Sequence, residues 1–299
     1  MDGILLINKP KGYTSRDVCN KISKILNEKR VGHIGTLDPF ATGLLIVLVG
    51  KCTKCTQYFD DLSKGYTASL ELGKETDSLD IDGNVIEEKE VPDLSREQIE
   101  DVLNSFLGKQ KQIPPMTSAI RVNGKKLYEL AHKGISIERD SRDIEIYKIN
   151  LISYLSPIIK FYSSVSKGTY IRVLGSDIAR KLGTIGYLIE LNRDEIGPFN
   201  LKSAINIEDV SEKKLISMFD VLSKISEVKV VEDNLSTDIK NGKVKEMDYI
   251  SNNKYLFIVD KNSNPVAMYI KIKKDKYVFS RGLFSWLRLS KLKWLKRLN

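Results

Sequence analysis

The sequence predicts an α+β fold, on three observations. Strand-like and helix-like stretches are mixed without the regular alternation that builds a doubly wound sheet. No repeat of fixed period is present. The chain has 299 residues, 41% of them hydrophobic, which is enough for two domains with real cores.

The elements follow in chain order. Gly3 to Ile7 reads as a strand. Ser15 is expected to N-cap a helix whose apolar face is Val18, Ile22, Ile25 and Leu26. Leu44 to Val49 reads as a buried strand, and Cys52 and Cys55 fall on a short helix after it. Tyr66, Ala68, Leu70 and Leu72 alternate as on a half-buried strand. Ser95-Arg96-Glu97-Gln98 has capping-box form, with Ile99, Val102, Leu103 and Phe106 following at helical spacing and Gly108 as the stop. Asn123-Gly124 signals a hairpin. Ile144 to Tyr154 and Ile158 to Val165 read as paired strands. Ile171, Leu174, Ile178 and Leu182 mark a helix ending at Gly183. The acidic stretch from Asp209 to Glu227 leads into a second unit, where Tyr255 to Val259 and Val266 to Ile272 read as two strands joined by a turn. The expected division is therefore 1–227 and 228–299.

A net charge of +9 favours an anionic partner, nucleic acid first and acidic membrane second. Met1 to Leu6 is too short an apolar run for a signal peptide, and no run approaches bilayer length. With three cysteines, a reduced, cytoplasmic protein is expected. Cys52 and Cys55 have C-x-x-C spacing, but no second pair completes a zinc site. With two histidines a histidine metal site is hard to assemble, so no metal is expected. From Lys271 to Asn299 basic residues crowd around Trp286 and Trp294. That tail suits RNA backbone and base stacking, a membrane surface, or a docked helix with a solvated face.

The residue of most interest is Asp38, in Gly32-His33-Ile34-Gly35-Thr36-Leu37-Asp38-Pro39-Phe40-Ala41-Thr42-Gly43. Pro39 biases it away from helix, and the flanking glycines permit tight turns and close approach of another molecule. On these residues alone it is either a carboxylate placed for chemistry or a turn aspartate bonding its own backbone.

That string resembles the catalytic motif of the TruB family of tRNA pseudouridine synthases. Asn8-Lys9-Pro10-Lys11-Gly12-Tyr13-Thr14-Ser15 resembles the family's N-terminal segment, and Lys64-Gly65-Tyr66 with Thr76-Asp77-Ser78-Leu79-Asp80 its second motif. Pro114 to Ala119 and Asn123 to Ala131 are similar to its middle region. Gly168-Thr169-Tyr170-Ile171-Arg172 resembles its arginine motif, and Leu191-Asn192-Arg193 and Gly197-Pro198-Phe199 follow in the family's order. The resemblance runs from about Ile4 to about Phe199.

The resemblance implies a pseudouridine synthase fold, with a mainly antiparallel sheet, flanking helices and a small C-terminal β-barrel of the RNA-binding PUA type. It implies isomerisation of uridine 55 in the T loop of tRNA. The N1–C1′ bond breaks, the uracil turns, and C5 rejoins C1′, with no redox change and no cofactor. Asp38 is then the nucleophile, at C1′, at C6, or by a glycal-like route. Arg172 is expected to pair with it, since arginine stays protonated and offers a carboxylate two donors. Tyr66 is implied to stack on the target base and move a proton; as a plain residue it reads as a core aromatic. His33 is implied to fill the space left by the flipped base, though it also reads as a hydrogen-bonded loop histidine. Lys9, Lys64, Tyr170 and Arg193 are candidate RNA contacts. Asn192 stands where the family often has the first of two arginines.

The expected partner is tRNA through its T arm, and no long extension suggests protein partners, so autonomous action as a monomer is expected. The competing reading is a non-catalytic RNA-binding protein or tRNA folding chaperone on the same fold.

Overall fold

The computed structural model describes residues 1–283 apart from 119–120, 123–124, 127–134 and 136. The expected turn at Asn123-Gly124 and the tail with Trp286 and Trp294 lie outside the described residues. Arg121–Val122 and Lys125–Lys126 pair antiparallel on either side of that turn.

A mixed sheet organises the first two-thirds of the chain. Its strands run in the order Gly3–Lys9, Thr42–Val49, Gly186–Ile196, Lys64–Leu72, Ile158–Val165, Arg142–Leu155, Gly108–Gln112. All neighbours on this path are antiparallel except one. Gly186–Ile196 meets the start of Thr42–Val49 in parallel, through Asn192↔Thr42 and Arg193↔Gly43. Val31–Ile34 pairs antiparallel with the other half of Thr42–Val49, so residues 35–41 form the loop of that hairpin.

Gly186–Ile196 lies inside the sheet, between Thr42–Val49 and Lys64–Leu72, and carried no strand signal. Two register shifts against Lys64–Leu72, at Leu188/Glu190 and Arg193/Glu195, break the period-two alternation that marks a strand in sequence.

Helix Ile171–Lys181 packs Ile171, Leu174 and Ile178 on the sheet, in one core with Tyr66, Leu70, Phe161 and Leu188. Gly183, at φ +87°, ends the chain's helical course as expected. Helix Arg96–Asn104 has the expected capping box at Ser95 and Gln98. Its stop, however, is not Gly108: the helix closes at Ser105, and Gly108 opens the edge strand at φ +90°.

Helix Ser15–Ile25 is capped by Thr14, not Ser15. Thr14 Oγ1 accepts from Asp17 N at 3.0 Å while Asp17 accepts from Thr14 N, closing a capping box. The apolar face is also narrower than expected, because Ile25 is 48% exposed.

The C-terminal unit is a five-stranded sheet in the order Glu227–Val231, Tyr255–Asp260, Pro265–Lys273, Lys276–Gly282, Glu246–Asp248. Its two end strands do not pair with each other, so the described residues form an open sheet rather than the expected closed barrel. Leu256, Ile258, Tyr269 and Tyr277 make its own core. Its opposite face, with Tyr255, Phe257, Val259 and Met268, joins a core built from Ile4, Leu6, Leu44, Ile46, Cys52 and Tyr58. Cys52 and Cys55 are packing residues inside that core, on the 3₁₀ segment Gly50–Phe59, and burial pushes both thiols up to about 12. No helix among the described residues is long and apolar enough to cross a membrane.

Candidate active site

Asp38 stands in the loop between Ile34 and Thr42, and that loop is held from the N-terminal segment. Ser15 Oγ accepts from Leu37 N at 2.9 Å and donates to Leu37 O at 3.2 Å. Pro39 O accepts from Gly12 N at 2.8 Å. Ser15 can do this because Thr14 has taken the cap. Both neighbours of Asp38 are thereby fixed by backbone contacts, while its own side chain stays 35% exposed.

Arg172 comes to Asp38 from the first turn of helix Ile171–Lys181. Its Nε lies 3.0 Å from Asp38 Oδ2, and its Nη2 donates to Asp38 Oδ1 at 3.4 Å. The guanidinium is almost completely buried and its remaining donors are all used. Nη1 donates to Ser78 O and Thr117 Oγ1, both at 2.7 Å, and lies 3.1 Å from Asp80 Oδ2; Nη2 donates to Thr117 O at 3.1 Å. A buried arginine so fully bonded is a rigid platform for whatever carboxylate it faces. The turn that delivers it is anchored as well: Gln112 receives Tyr170 N at 2.8 Å and donates to Tyr170 O at 3.1 Å.

Asp80, Ser78 and Thr117 were not singled out by sequence reasoning. Asp80 lay inside the quoted second-motif string, with no role assigned to it. Its carboxylate in fact accepts from Ser78 Oγ at 2.6 Å and Asp82 N at 3.1 Å and faces Arg172. Burial raises its carboxyl above the ordinary range, against the opposing pull of Ser78 and Arg172. One local signal is structural only: Leu79, between the two Arg172 partners, sits at φ +63°.

Tyr66 lies on the central strand Lys64–Leu72, 7% exposed, in one apolar cluster with Leu37, Phe40 and Ala41 of the Asp38 loop. His33 is on Val31–Ile34, and its buried Nδ1 has no partner among the described residues. Burial first, then the charges of Arg16 and Arg193, hold its pKa down at about 4. Tyr170 is half-buried at the start of the arginine helix.

Lys9 departs from expectation. It is fully buried, and its ammonium donates to Tyr13 O at 2.6 Å, Pro10 O at 3.0 Å and Pro39 O at 3.3 Å. Its donors tie the N-terminal segment to the loop and leave no phosphate contact at the surface. Burial depresses its pKa to about 8. Arg193 is also buried, donating from Nε to Leu44 O at 2.8 Å and from Nη2 to Gly35 O at 2.9 Å. Gly43 lets the backbone of Arg193 come close: at φ +102°, a Cβ there would stand 2.4 Å from Arg193 O. Lys64, partly buried beside it, donates to Leu62 O at 2.8 Å, and burial lowers its pKa to about 8. Asn192, at the position of the missing arginine, bonds Thr42 Oγ1 at 2.9 Å and Asp194 Oδ1 at 2.6 Å.

Comparison with known proteins adds to this geometry. Residues 23–171 match the TruB family pseudouridylate synthase (N terminal domain). A protein named tRNA pseudouridine synthase B from Mesoplasma florum is 39% identical over 281 residues, 94% of this chain and 97% of that one. Its namesake from Fusobacterium nucleatum is 42% identical over 262 residues, covering 85% and 91% of the two chains. Among solved structures, a chain of a Cbf5-Nop10-Gar1 complex superposes with TM-score 0.72 at 22% identity, over 94% of this chain and 85% of that one. A chain of the archaeal box H/ACA sRNP Nop10-Cbf5 complex gives 0.69 at 20% identity, over 94% and 86%. At those identities the likeness is one of fold.

Proposed function

This chain belongs to the TruB family of pseudouridylate synthases, and on that premise we propose that it isomerises uridine 55 in the T loop of tRNA to pseudouridine. The observation that carries the proposal is the Asp38–Arg172 pair: a solvent-reachable carboxylate fixed by a buried, fully bonded guanidinium.

In this reading the target nucleotide leaves the RNA stack and its base enters beside Tyr66, whose ring offers a stacking face. Asp38 is the nucleophile, and Arg172 orients it. Tyr66 O–H moves a proton during reattachment. His33, neutral and with no partner at Nδ1 among the described residues, borders the space the base vacates. Tyr170 and Lys64 face the RNA. The reaction is an isomerisation and requires no cofactor. The C-terminal unit, 228–299, serves as a PUA-like module binding the RNA backbone. The enzyme acts in the cytoplasm as a monomer, reading the folded T arm without a protein partner.

The test is incubation with an unmodified tRNA transcript, no cofactor added, beside Asp38→Asn. Carbodiimide labelling and primer extension then map the product. A single T-loop stop, absent with the variant, supports the proposal. Bound tRNA with no stop would favour an RNA-binding or chaperone role instead.

A further inference from the structure

Helix Ile171–Lys181 turns three polar side chains towards one hairpin. Arg172, Ser176 and Arg180 recur every four residues and so lie along one face of the helix, with about 12 Å of axis between the first and the last. The hairpin opposite is formed by Lys74–Thr76 and Val85–Glu88. Arg172 meets Ser78 O and Asp80 in its turn. Arg180 meets Glu75 in its first strand, with Nη2 2.8 Å from Oε1 and 2.6 Å from Oε2. Between them, Ser176 Oγ donates to Glu75 Oε2 at 3.3 Å and accepts from Arg180 Nε at 3.4 Å.

Glu75 is an unfavourable choice for a tie that only holds the fold. It is 7% exposed, whereas the Arg180 side chain is 54% exposed. A carboxylate out of water loses its hydration, and a cation still half in water offsets little of that loss. An apolar residue at this position would be buried without the charge. What the ion pair adds is a fixed register between strand and helix.

The chain from Glu75 to Asp80 is short and leaves no slack. Thr76 Oγ1 donates to Asp80 O at 2.7 Å, and Leu79 N donates to Thr76 O at 3.1 Å. Leu188 N donates to Leu79 O at 3.1 Å and ties the turn to strand Gly186–Ile196. A shift of Glu75 along the helix therefore carries Ser78 O and Asp80 with it, and these two hold Arg172 Nη1.

We propose that Glu75 and Arg180 form a positioning clasp for the reaction. The clasp sets the register of residues 76–80 on the arginine helix, and through Ser78 O and Asp80 it aims the Arg172 guanidinium at Asp38. It rests on the synthase reading above. Among the described residues Glu75 bonds Arg180 and Ser176 and neither member of the Asp38–Arg172 pair, so it acts on the rate only through others. One nitrogen, Nη2, serves both carboxylate oxygens. A lysine, which offers a single charged nitrogen, can therefore stand in for Arg180 where it cannot stand in for Arg172.

The experiment measures kcat and KM on an unmodified tRNA transcript for the full-length protein, with the folded fraction fixed by calorimetry at the assay temperature. The proteins are wild type, Glu75→Gln, Arg180→Ala, Arg180→Lys, Asp80→Asn and the double variant Arg180→Ala/Asp80→Asn. Glu75→Gln and Arg180→Ala should each lower kcat about five- to tenfold and move KM by less than about twofold, since geometry rather than binding is disturbed. Arg180→Lys should keep at least about half of the wild-type kcat. The double variant should lose little more than Asp80→Asn alone, because both changes act on one contact. Arg180 is half-exposed, so its variants report on the clasp even where Glu75→Gln fails to fold. A wild-type kcat in Arg180→Ala, or losses that multiply in the double variant, overturns the clasp. A wild type that converts no uridine removes the synthase reading and the positioning role with it. An active wild type beside an equally active Arg180→Ala removes the clasp alone.

Discussion

Arg172 Nε lies 3.0 Å from Asp38 Oδ2, yet the two side chains live in different media: 4% of the arginine and 35% of the aspartate reach solvent. The cation is part of the protein's interior and the anion faces outward. Water or substrate therefore reaches the carboxylate from one side only. Replacing Arg172 by lysine keeps the charge but loses the paired donors and the contacts to Ser78 O and Thr117. We expect kcat on tRNA to fall about 100-fold, equivalent to ~2.7 kcal/mol, with a smaller change in KM. Asp38→Asn should lose at least ~10³-fold while binding tRNA nearly as before. Steady-state assays with filter binding check both, and a wild-type kcat in either would remove the pair from the reaction.

Asp80 shares Arg172 with Asp38 from the buried side. Asp80→Asn should leave the fold intact, because Asn can still accept from Ser78 Oγ and Asp82 N. The guanidinium then loses one of its two carboxylates and is less firmly aimed. The expected result is a roughly tenfold loss of kcat, milder than that of Asp38→Asn. Equal losses in the two variants would mean that Asp80 acts on the substrate directly.

Leu79 at φ +63° holds Ser78 O and Asp80 on the same guanidinium nitrogen. A leucine in that region costs roughly 1 kcal/mol or more, which glycine would not incur. Leu79→Gly also gives the unfolded chain more freedom, so the two effects on Tm should nearly cancel. Activity should still drop several-fold, because the turn no longer fixes its neighbours. Calorimetry and kcat read the two effects separately; unaltered kcat would show the left-handed turn to be incidental.

His33 gives a pH signature. Burial holds its pKa at about 4 in the folded protein, below the 6.5 of a free histidine. Between those values the unfolded chain binds a proton that the folded chain refuses, so stability from the neutral imidazole is complete above pH 6.5 and is lost as pH falls towards 4. After allowance for its partial exposure, the effect is up to ~2 kcal/mol. Urea titrations at pH 7 and 4.5 should show a smaller acid loss in His33→Gln than in wild type. Parallel losses would place the titrating group elsewhere.

Much of the loop's neighbourhood was legible in the sequence because it is written locally. Gly35, Pro39 and Gly43 announce an irregular backbone, Ser95 and Gln98 announce a cap, and Gly183 a stop. The Asp38–Arg172 pairing, by contrast, spans 134 positions and was reached only through resemblance to a family. Asp80 went unrecognised for a related reason: its partner is brought by a helix almost a hundred residues away, and nothing around it states the need for one. The strand Gly186–Ile196 was hidden by its own bulges. Lys9 looked like a surface lysine because a lysine that spends its donors on three carbonyls has no sequence mark. The C-terminal strands were readable by alternation, but closure into a barrel depends on pairings that alternation does not encode.

The face of the C-terminal sheet bearing Tyr255, Phe257 and Met268 is completed by Ile4, Leu6, Leu44 and Tyr58. Leu44 and Ile46 follow directly on the Asp38 loop, so the same strand lines the shared core at one end and carries the loop at the other. Melting of the C-terminal sheet would strip the cover from that strand. The two halves of the chain are therefore expected to denature in one cooperative transition, and amides of Thr42–Val49 should exchange with solvent only when the whole molecule opens.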